Sequence, residues 1–498
     1  MRNCFAAFVV VTVSLAVAPT AWAQPTLVKD FTGVSLSDLP GLNSGFGFIP
    51  PDTMGAIGAT QFAEFTNGSF TVYDKTTGGP VGSPESLTAF WQNAGITGLS
   101  IPGGGGAGTT DPHVLFDPVS QHWFAVTITD GQTPNRILVG VSNTADATGT
   151  WKGFAIGNLS SPGTFADFPT VGIDRNGLFV SLNNFNGGSA ASEGVLVIPK
   201  AALIGGSVAG ATQFTNIPIS STGFTPAPIV DYDNAATSHL LVSSFNSTSL
   251  VFSTINNTTT SPTLSPATRT DTVAGNVNTI FASQSGGPNN IDAGDTRFGT
   301  SVVKQDGFLW AVNTNTIAGR EALVIYRFDA TTGALLETKT IGDSTHDYFY
   351  GSIAVTQNGD MIISYTRSGP TEFAGSFATW GHFDGTSMTL NTGSQFTLHA
   401  GTGSYNVQFG GGRNRWGDYS QTTIDPNDPN TIWTVQEWAS GDSPFGAGNP
   451  GNWHTQIAEF TFPQSTPTIP EPSSLVLSAI GLGLVALKGI RCRRRRSA

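Results

Sequence analysis

Apolar and polar positions along this chain fall into short runs, and the runs come in pairs. A polar or Pro/Gly-containing opener leads into a short apolar run, a turn with Asp, Asn or Gly follows, and a second apolar run comes after it. The pattern reads PPDTMGAIGATQFAEFTN from Pro50, DPHVLFDPVSQHWFAVTI from Asp111 and DFPTVGIDRNGLFVSLNN from Asp167. It continues as PAPIVDYDNAATSHLLVSSF from Pro226, RFGTSVVKQDGFLWAVNT from Arg297 and YGSIAVTQNGDMIISYT from Tyr350, and ends as WGDYSQTTIDPNDPNTIWTVQEW from Trp416. Short apolar runs bounded by turn residues predict strands. Asp174-Arg175-Asn176-Gly177, Gln305-Asp306-Gly307 and Asn358-Gly359-Asp360 carry the residues that tight hairpins demand.

The copies stand roughly 50–70 residues apart, which leaves room for two more strands in each. Arg136–Ser142 and Ala322–Phe328 are such runs. Four strands at this period is the arithmetic of a propeller blade, so the chain is expected to be all-β, a single β-propeller of seven blades. Closing the ring would leave only short, protected edges. A tandem of two β-sandwiches also yields short strands with turns, but the likeness between copies favours the propeller. Helical periodicity is nearly absent; Pro199–Ile204 has room for one turn. The Gly-rich stretch Ile101–Gly108 and the Ser/Thr/Asn stretch Asn256–Thr272 read as exposed loops.

Two segments break the pattern. Arg2, an apolar run from Cys4 to Ala18 and the small residues of Pro19-Thr20-Ala21-Trp22-Ala23 have the layout of a secretory signal, with cleavage expected after Ala23. The run falls short of the roughly 20 residues of a spanning helix, which weighs against a retained one. At the other end, Thr466 to Pro472 is a Pro-rich spacer, and Ser473 to Ile490 is apolar except for Lys488. A block from Arg491 to Arg496, broken only by Cys492, closes the sequence. A transmembrane helix stopped by arginines keeps its basic end on the cytoplasmic side. The expected organisation is a signal peptide over 1–23, an ectodomain over 24–464 and a tail over 465–498.

Setting those ends aside changes the charge. The whole chain has 22 basic and 34 acidic residues, whereas the ectodomain keeps 15 and 33 and a net charge near −18. Such a surface repels nucleic acid and anionic lipid, so neither is expected as its partner. Both cysteines, Cys4 and Cys492, lie in the ends, which leaves the ectodomain to be stabilised by core burial alone. Abundant Gly with 33 Phe favours strands and turns over helices.

Pro470-Glu471-Pro472, an apolar helix and an Arg cluster, in that order, resemble the PEP-CTERM sorting signal. The resemblance implies an exosortase-type membrane protease that recognises the tripeptide and cuts near it. It further implies a protein anchored in the membrane before processing, then released to the cell surface or the extracellular space. The ectodomain resembles exported bacterial propeller-like proteins, some likened to sialidases, through PPDTMGAIG, DPHVLFDPVSQHWFAV, SNTADATGTW, DFPTVGID, HDYFYGSIAV and RWGDYSQTTIDPNDPNTIWTVQEW. It implies the fold more than an activity.

In a propeller the innermost strands start at one mouth of the central channel, and residues at their starts converge there. The converging set is expected to be Asp52, Asp111 with His113, Asp167, Arg297, Asp347 with Tyr350, and Arg415 with Trp416 and Asp418. Carboxylates, guanidinium groups and aromatic faces at one mouth suit a sugar or small polar ligand. A sialidase-like hydrolase would need three arginines, a Tyr nucleophile with a Glu base and an acidic proton donor. Arg297, Arg413, Arg415, Tyr350, Glu437 and Asp52 are the residues it would recruit. The Ser-x-Asp-x-Gly-x-x-Trp box of that family is not present as such, and Gln305–Trp310 is its nearest approach.

The seven histidines lack paired metal spacing, and Asp425–Asn430 lacks the spacing of a calcium loop. No metal, cofactor or catalytic residue is assigned. The expected function is binding of polysaccharide or another envelope component without turnover, with a sialidase-like glycoside hydrolase as the alternative. Changing Pro470, Glu471 and Pro472 together to alanine is expected to leave the protein unprocessed in the membrane. Immunoblotting of membrane and released fractions checks this, and a processed form at normal abundance contradicts it.

Overall fold

The computed structural model describes residues 24–463 apart from 102–105, 158, 160–162, 235–237, 247–248, 266–267, 272–280, 410–412 and 445–450. The expected signal peptide, transmembrane helix and sorting tripeptide lie outside the described residues. Among those described, no helix is long and apolar enough to cross a membrane.

The described chain folds almost wholly into antiparallel meanders. The first is Met54–Ile57, Gln61–Thr66 and Ser69–Asp74, extended only by isolated bridges to Pro80 and Glu85. The second is Thr109–Asp117, His122–Thr129, Arg136–Ser142 and Trp151–Gly157. The third is Phe165–Ile173, Gly177–Asn186, Ser189–Pro199 and Thr212–Ile217. Phe224–Asp231, Ser238–Asn246 and Ser249–Asn256 make the fourth, edged by Thr263–Leu264 and Thr268–Asp271. The stretch read as the loop Asn256–Thr272 therefore contains two short edge strands, whose Thr-rich sequence suits a pleated surface.

The fifth meander is Val302–Gln305, Phe308–Ile317, Arg320–Asp329 and Leu335–Ile341. The sixth is Asp347–Val355, Asp360–Gly369 and Glu372–Phe383, edged by Met388–Leu390 and Phe396–His399. The seventh is Gln421–Asp425, Asp428–Ser440 and Asn452–Thr461, and its outer strand is Thr26–Ser35 from the other end of the described chain. Each of the seven openers sits at or just before the first strand of a meander, and the second apolar run of each copy is the second strand. The turn at Asp306-Gly307 has φ of 53° and 76°, left-handed at both central positions. A two-residue hairpin requires that, and Gly is free to adopt it.

First strands of successive meanders are neighbours in circular order, and the seventh returns to the first. Two of these joints carry parallel ladder pairs, Val230 with Ile173 and Ile229 with Val302. Among the described residues no single sheet closes on itself; the ring is made of sheets, a propeller-like arrangement. Apolar residues fill the space between neighbours. Phe65, Phe70, Trp91 and Trp123 pack between the first and second meanders, and Phe179, Val195 and Leu241 between the third and fourth. Trp380 and Phe460 lie between the sixth and seventh, and Phe62, Trp433 and Ile457 between the seventh and first. Burying large aromatics at each joint is the main force holding a cysteine-free ring together. The single helical turn foreseen near Pro199 is the helix Lys200–Ile204.

Candidate functional site

The first strands of six meanders share a backbone feature at or near their start. Asp52, Asp111, Phe168, Thr225, Tyr350 and Asp418 have φ of 51°, 55°, 53°, 56°, 47° and 86°. They occupy corresponding places in six of the seven meanders; the fifth has Phe298-Gly299 there. In four meanders the antiparallel ladder slips at this point, between Thr110 and His113, Phe224 and Ala227, Phe349 and Ser352, and opposite Asp167–Thr170. An extra residue in one strand bends it and re-aims the side chains beside it. Left-handed backbone at a residue other than Gly costs on the order of 1–3 kcal/mol, so this conformation persists only where the surroundings over-determine it.

The bent starts surround a cavity of about 1210 Å³. Its walls include Asp52, Asp111, Asp130, Asp167, Asp295 and Asp418, together with Arg297, Arg413 and Arg415. Phe46, Phe48, Phe165, Phe168, Phe185 and Phe224 supply apolar faces. Tyr350 lines a small adjoining recess with Arg297 and Asp418. The structure thus brings Asp52, Asp111, Asp167, Arg297, Tyr350, Arg415 and Asp418 of the expected set together.

Three expected members face elsewhere. Asp347 clamps the fifth meander to the sixth: its Oδ1 accepts from the Glu321 amide at 3.1 Å, and its Oδ2 from the Ser283 amide at 2.8 Å and Arg320 at 3.0 Å. Trp416 is fully buried with its ring edge-on to Tyr405 at 4.9 Å, and its Nε1 donates to Thr366. His113 is buried against the Tyr419 ring, 4.6 Å away, and burial pushes its pKa down to about 3. Asp347 and Trp416 precede the bends, which fall at Tyr350 and Asp418. His113 follows the bend at Asp111, where the ladder slips between Thr110 and His113.

Asn67 is a contributor that sequence reasoning missed. Its Nδ2 donates to Asp52 Oδ2 at 2.7 Å and to the Pro50 carbonyl at 3.0 Å. Its Oδ1 accepts from the Asp111 amide at 2.9 Å and from Thr110 Oγ1 at 3.1 Å. One side chain thereby ties the first strand of the first meander to that of the second. The Asn67-Gly68 pair reads only as a hairpin turn, but turns between second and third strands return to the same face as the first-strand starts. Asp292 and Asp295 were missed too; they follow a region with no repeat signal.

Each arginine is already engaged. Arg297 Nε donates to Asp295 at 2.8 Å, with its guanidinium 4.0 Å from the Phe168 ring centre. Arg413 Nε donates to Asp292 at 2.7 Å. Arg415 meets Asp418 at 2.5 Å and Asp292 at 3.9 Å. Asp295 holds Arg297 above the usual guanidinium range despite burial, and Asp418 does the same for Arg415.

The carboxyls are raised as well, which for them favours the neutral form. Burial, then the nearby Asp111 and Asp418, push Asp52 well above the usual carboxylate range. Burial, with Asp167 and Asp418 adding, raises Asp111 to about 7. Asp167 is raised by burial, against the stabilising Phe168 amide. Glu437, which accepts from Thr53 Oγ1 at 2.8 Å and the Gly417 amide at 3.3 Å, is raised to about 8 by burial. Among the described residues no three His, Cys, Asp or Glu groups stand in metal-binding geometry.

No protein-family model matches this chain, and no curated protein matches it. Solved structures do resemble it in part. A protein of unknown function from Dyadobacter fermentans is 12% identical, with a TM-score of 0.39 over 71% of this chain and 94% of its own. A hypothetical selenium-binding protein from Sulfolobus tokodaii is 9% identical, with a TM-score of 0.44 over 72% and 83%. A Trypanosoma rangeli sialidase in complex with the inhibitor DANA is 10% identical, with a TM-score of 0.32 over 70% and 54%. Likeness at this level bears on neither activity nor ligand.

The buried acids set the pH dependence of stability. Glu64 and Glu321 are raised to about 7, Asp111 to about 7, Glu437 to about 8 and Glu193 to about 9, each chiefly by burial. A raised carboxyl keeps its proton in the folded state after the unfolded chain has lost it, so the folded state binds more protons and stability falls as pH rises. His113 and His454, lowered by burial to about 3 and about 4, act oppositely, but only below the ordinary histidine pKa of about 6.5. The melting temperature is therefore expected to decline from about pH 6.5 to about pH 9, and Glu193→Gln to flatten the alkaline part. Calorimetry across that range checks this; a melting temperature that climbs with pH contradicts it.

Proposed function

We propose that this chain is an exported, seven-bladed β-propeller protein of the cell surface or extracellular matrix that binds a polysaccharide or related envelope component at the propeller mouth without turning it over. Export, membrane anchoring by the C-terminal helix and processing by an exosortase-type protease at Pro470-Glu471-Pro472 belong to the same proposal and rest on the two end segments. The binding reading rests on one observation above all: hydrogen-bonding carboxyls and six phenylalanines line a single large cavity at the strand starts. Sugar rings present apolar faces to aromatic rings and hydroxyls to polar groups, and such a wall serves both.

The competing reading is a sialidase-like hydrolase, favoured by the gathering of Arg297, Arg413, Arg415 and Tyr350 at one mouth. Two features weigh against it. Each of the three guanidinium groups is already paired with a carboxylate, Asp295, Asp292 or Asp418, which offsets the positive charge that a sugar carboxylate would meet. Tyr350 donates to Asp418 at 3.4 Å, and burial with that carboxylate pushes its phenol well above 10, the wrong direction for a nucleophile.

A glycan array probed with the full chain is expected to give binding without release of product. Phe224→Ala, which removes an aromatic wall, is expected to weaken that binding roughly tenfold, the loss of about 1.4 kcal/mol. Asp347→Asn, remote from the cavity, is expected to lower the melting temperature and leave affinity as it was. Turnover of a sialylated glycan would replace the binding reading with the hydrolase.

A further inference from the structure

The cavity has more acceptors than donors. Six aspartates and three arginines line it, and the arginines are held by Asp292, Asp295 and Asp418. Asp52, Asp111 and Asp167 form no ion pair with any of the three. Asp52 shows the shortage most sharply: it lines the cavity, is 2% exposed, and its Oδ1 has no hydrogen-bond partner. Its Oδ2 takes one N–H of Asn67, whose other N–H goes to the Pro50 carbonyl, so that amide has no donor left. Arg415, whose charge acts on Asp52, is engaged by Asp418. A buried carboxyl oxygen without a partner is costly, and a cationic ligand that brings donors to it removes that cost and favours the ionised form.

Resting on the glycan reading above, we propose that the mouth selects sugars carrying a free amine, the de-N-acetylated aminosugar units of an extracellular polysaccharide, with the ammonium set against Asp52, Asp111 and Asp167. An ammonium supplies three donors and one positive charge, the two things these walls lack. A bare metal ion answers the charge but not the geometry, since no three of the described acidic or histidine groups stand at metal-ligand spacing. Basic peptides carry the same ammonium, but on a flexible aliphatic stem with no ring face to lay against the phenylalanines.

The test uses the full-length protein and calorimetric titration with β-linked oligomers of glucosamine, N-acetylglucosamine and glucose of equal length. The glucosamine oligomer is expected to bind at least tenfold more tightly than the other two, the size of one charge-assisted hydrogen bond. Asp52→Asn, which keeps the shape and tolerates left-handed backbone, is expected to bring that ratio close to one. Asp167→Asn is the second variant should the first fail to fold, and it is expected to lower the same ratio. Equal binding of all three oligomers would overturn the amine and leave the glycan reading standing. Binding of none would overturn both. Oligolysine binding as tightly as the glucosamine oligomer would assign the mouth to a basic peptide and overturn the proposal.

Discussion

Six strands of this protein bend, at or near their start, through a residue forced into left-handed backbone, and the site is built on that constraint. A strand running straight out of its preceding loop would alternate its side chains between the two faces of its sheet, toward the neighbouring meanders. The bend at Asp52, Asp111, Phe168, Thr225, Tyr350 and Asp418 instead swings the strand start, and the residues beside it, toward the common axis. Surrounding packing holds the strain in place. Asn67 bonds both Asp52 and the Asp111 amide, Tyr419 and the Phe168 amide reach Asp111, and Ser420 bonds the Tyr350 carbonyl. All of these contacts except that between Asn67 and Asp52 cross from one meander to another, so the ring and the site stabilise one another.

The same arrangement explains the electrostatics. Bringing several carboxylates to one axis in a partly desolvated cavity raises their proton affinity, because each disfavours ionisation of the next and burial disfavours all. Pairing Arg297, Arg413 and Arg415 with Asp295, Asp292 and Asp418 offsets part of that repulsion. Asp52, Asp111 and Asp167 have no such cation, and Asp52 keeps an oxygen without a partner. A cavity of this kind discriminates by the charge and donors of its ligand more than by depth or shape, which is why the reading of the site turns on which charges are already satisfied.

Much of the fold was legible because its signal is local. An opener, a strand, a tight turn and a second strand lie within about twenty residues, and Asp306-Gly307 or Asp174–Gly177 announces each hairpin without reference to the rest of the chain. Strands that pair across long separations were not legible. Nothing in Thr26–Ser35 announces that it will become the outer strand of the last meander beside Asn452–Thr461. The site was half legible for a related reason. Asp52, Asp111 and Asp418 are themselves the bent residues and were found, whereas Asp347 and Trp416 lie two or three positions before the bend and point into joints between sheets. A left-handed bend is a tertiary outcome at these residues; no Asn-Gly or Gly-Gly pair marks it. Asn67 was hidden for the opposite reason, its turn signal being so plain that it masked a second role.

If the bent strand starts exist to serve the mouth, relieving one should separate stability from binding. Asp52→Gly supplies a residue at ease with a φ of 51° and removes a buried carboxyl with an unpartnered oxygen. Melting temperature and glycan affinity measured together on this variant test the account directly. The account predicts that the variant melts no lower than the parent while its affinity falls at least tenfold, the loss of about 1.4 kcal/mol of binding. A variant that melts lower and binds as the parent does would contradict it, and would make the bend a structural device with no part in binding.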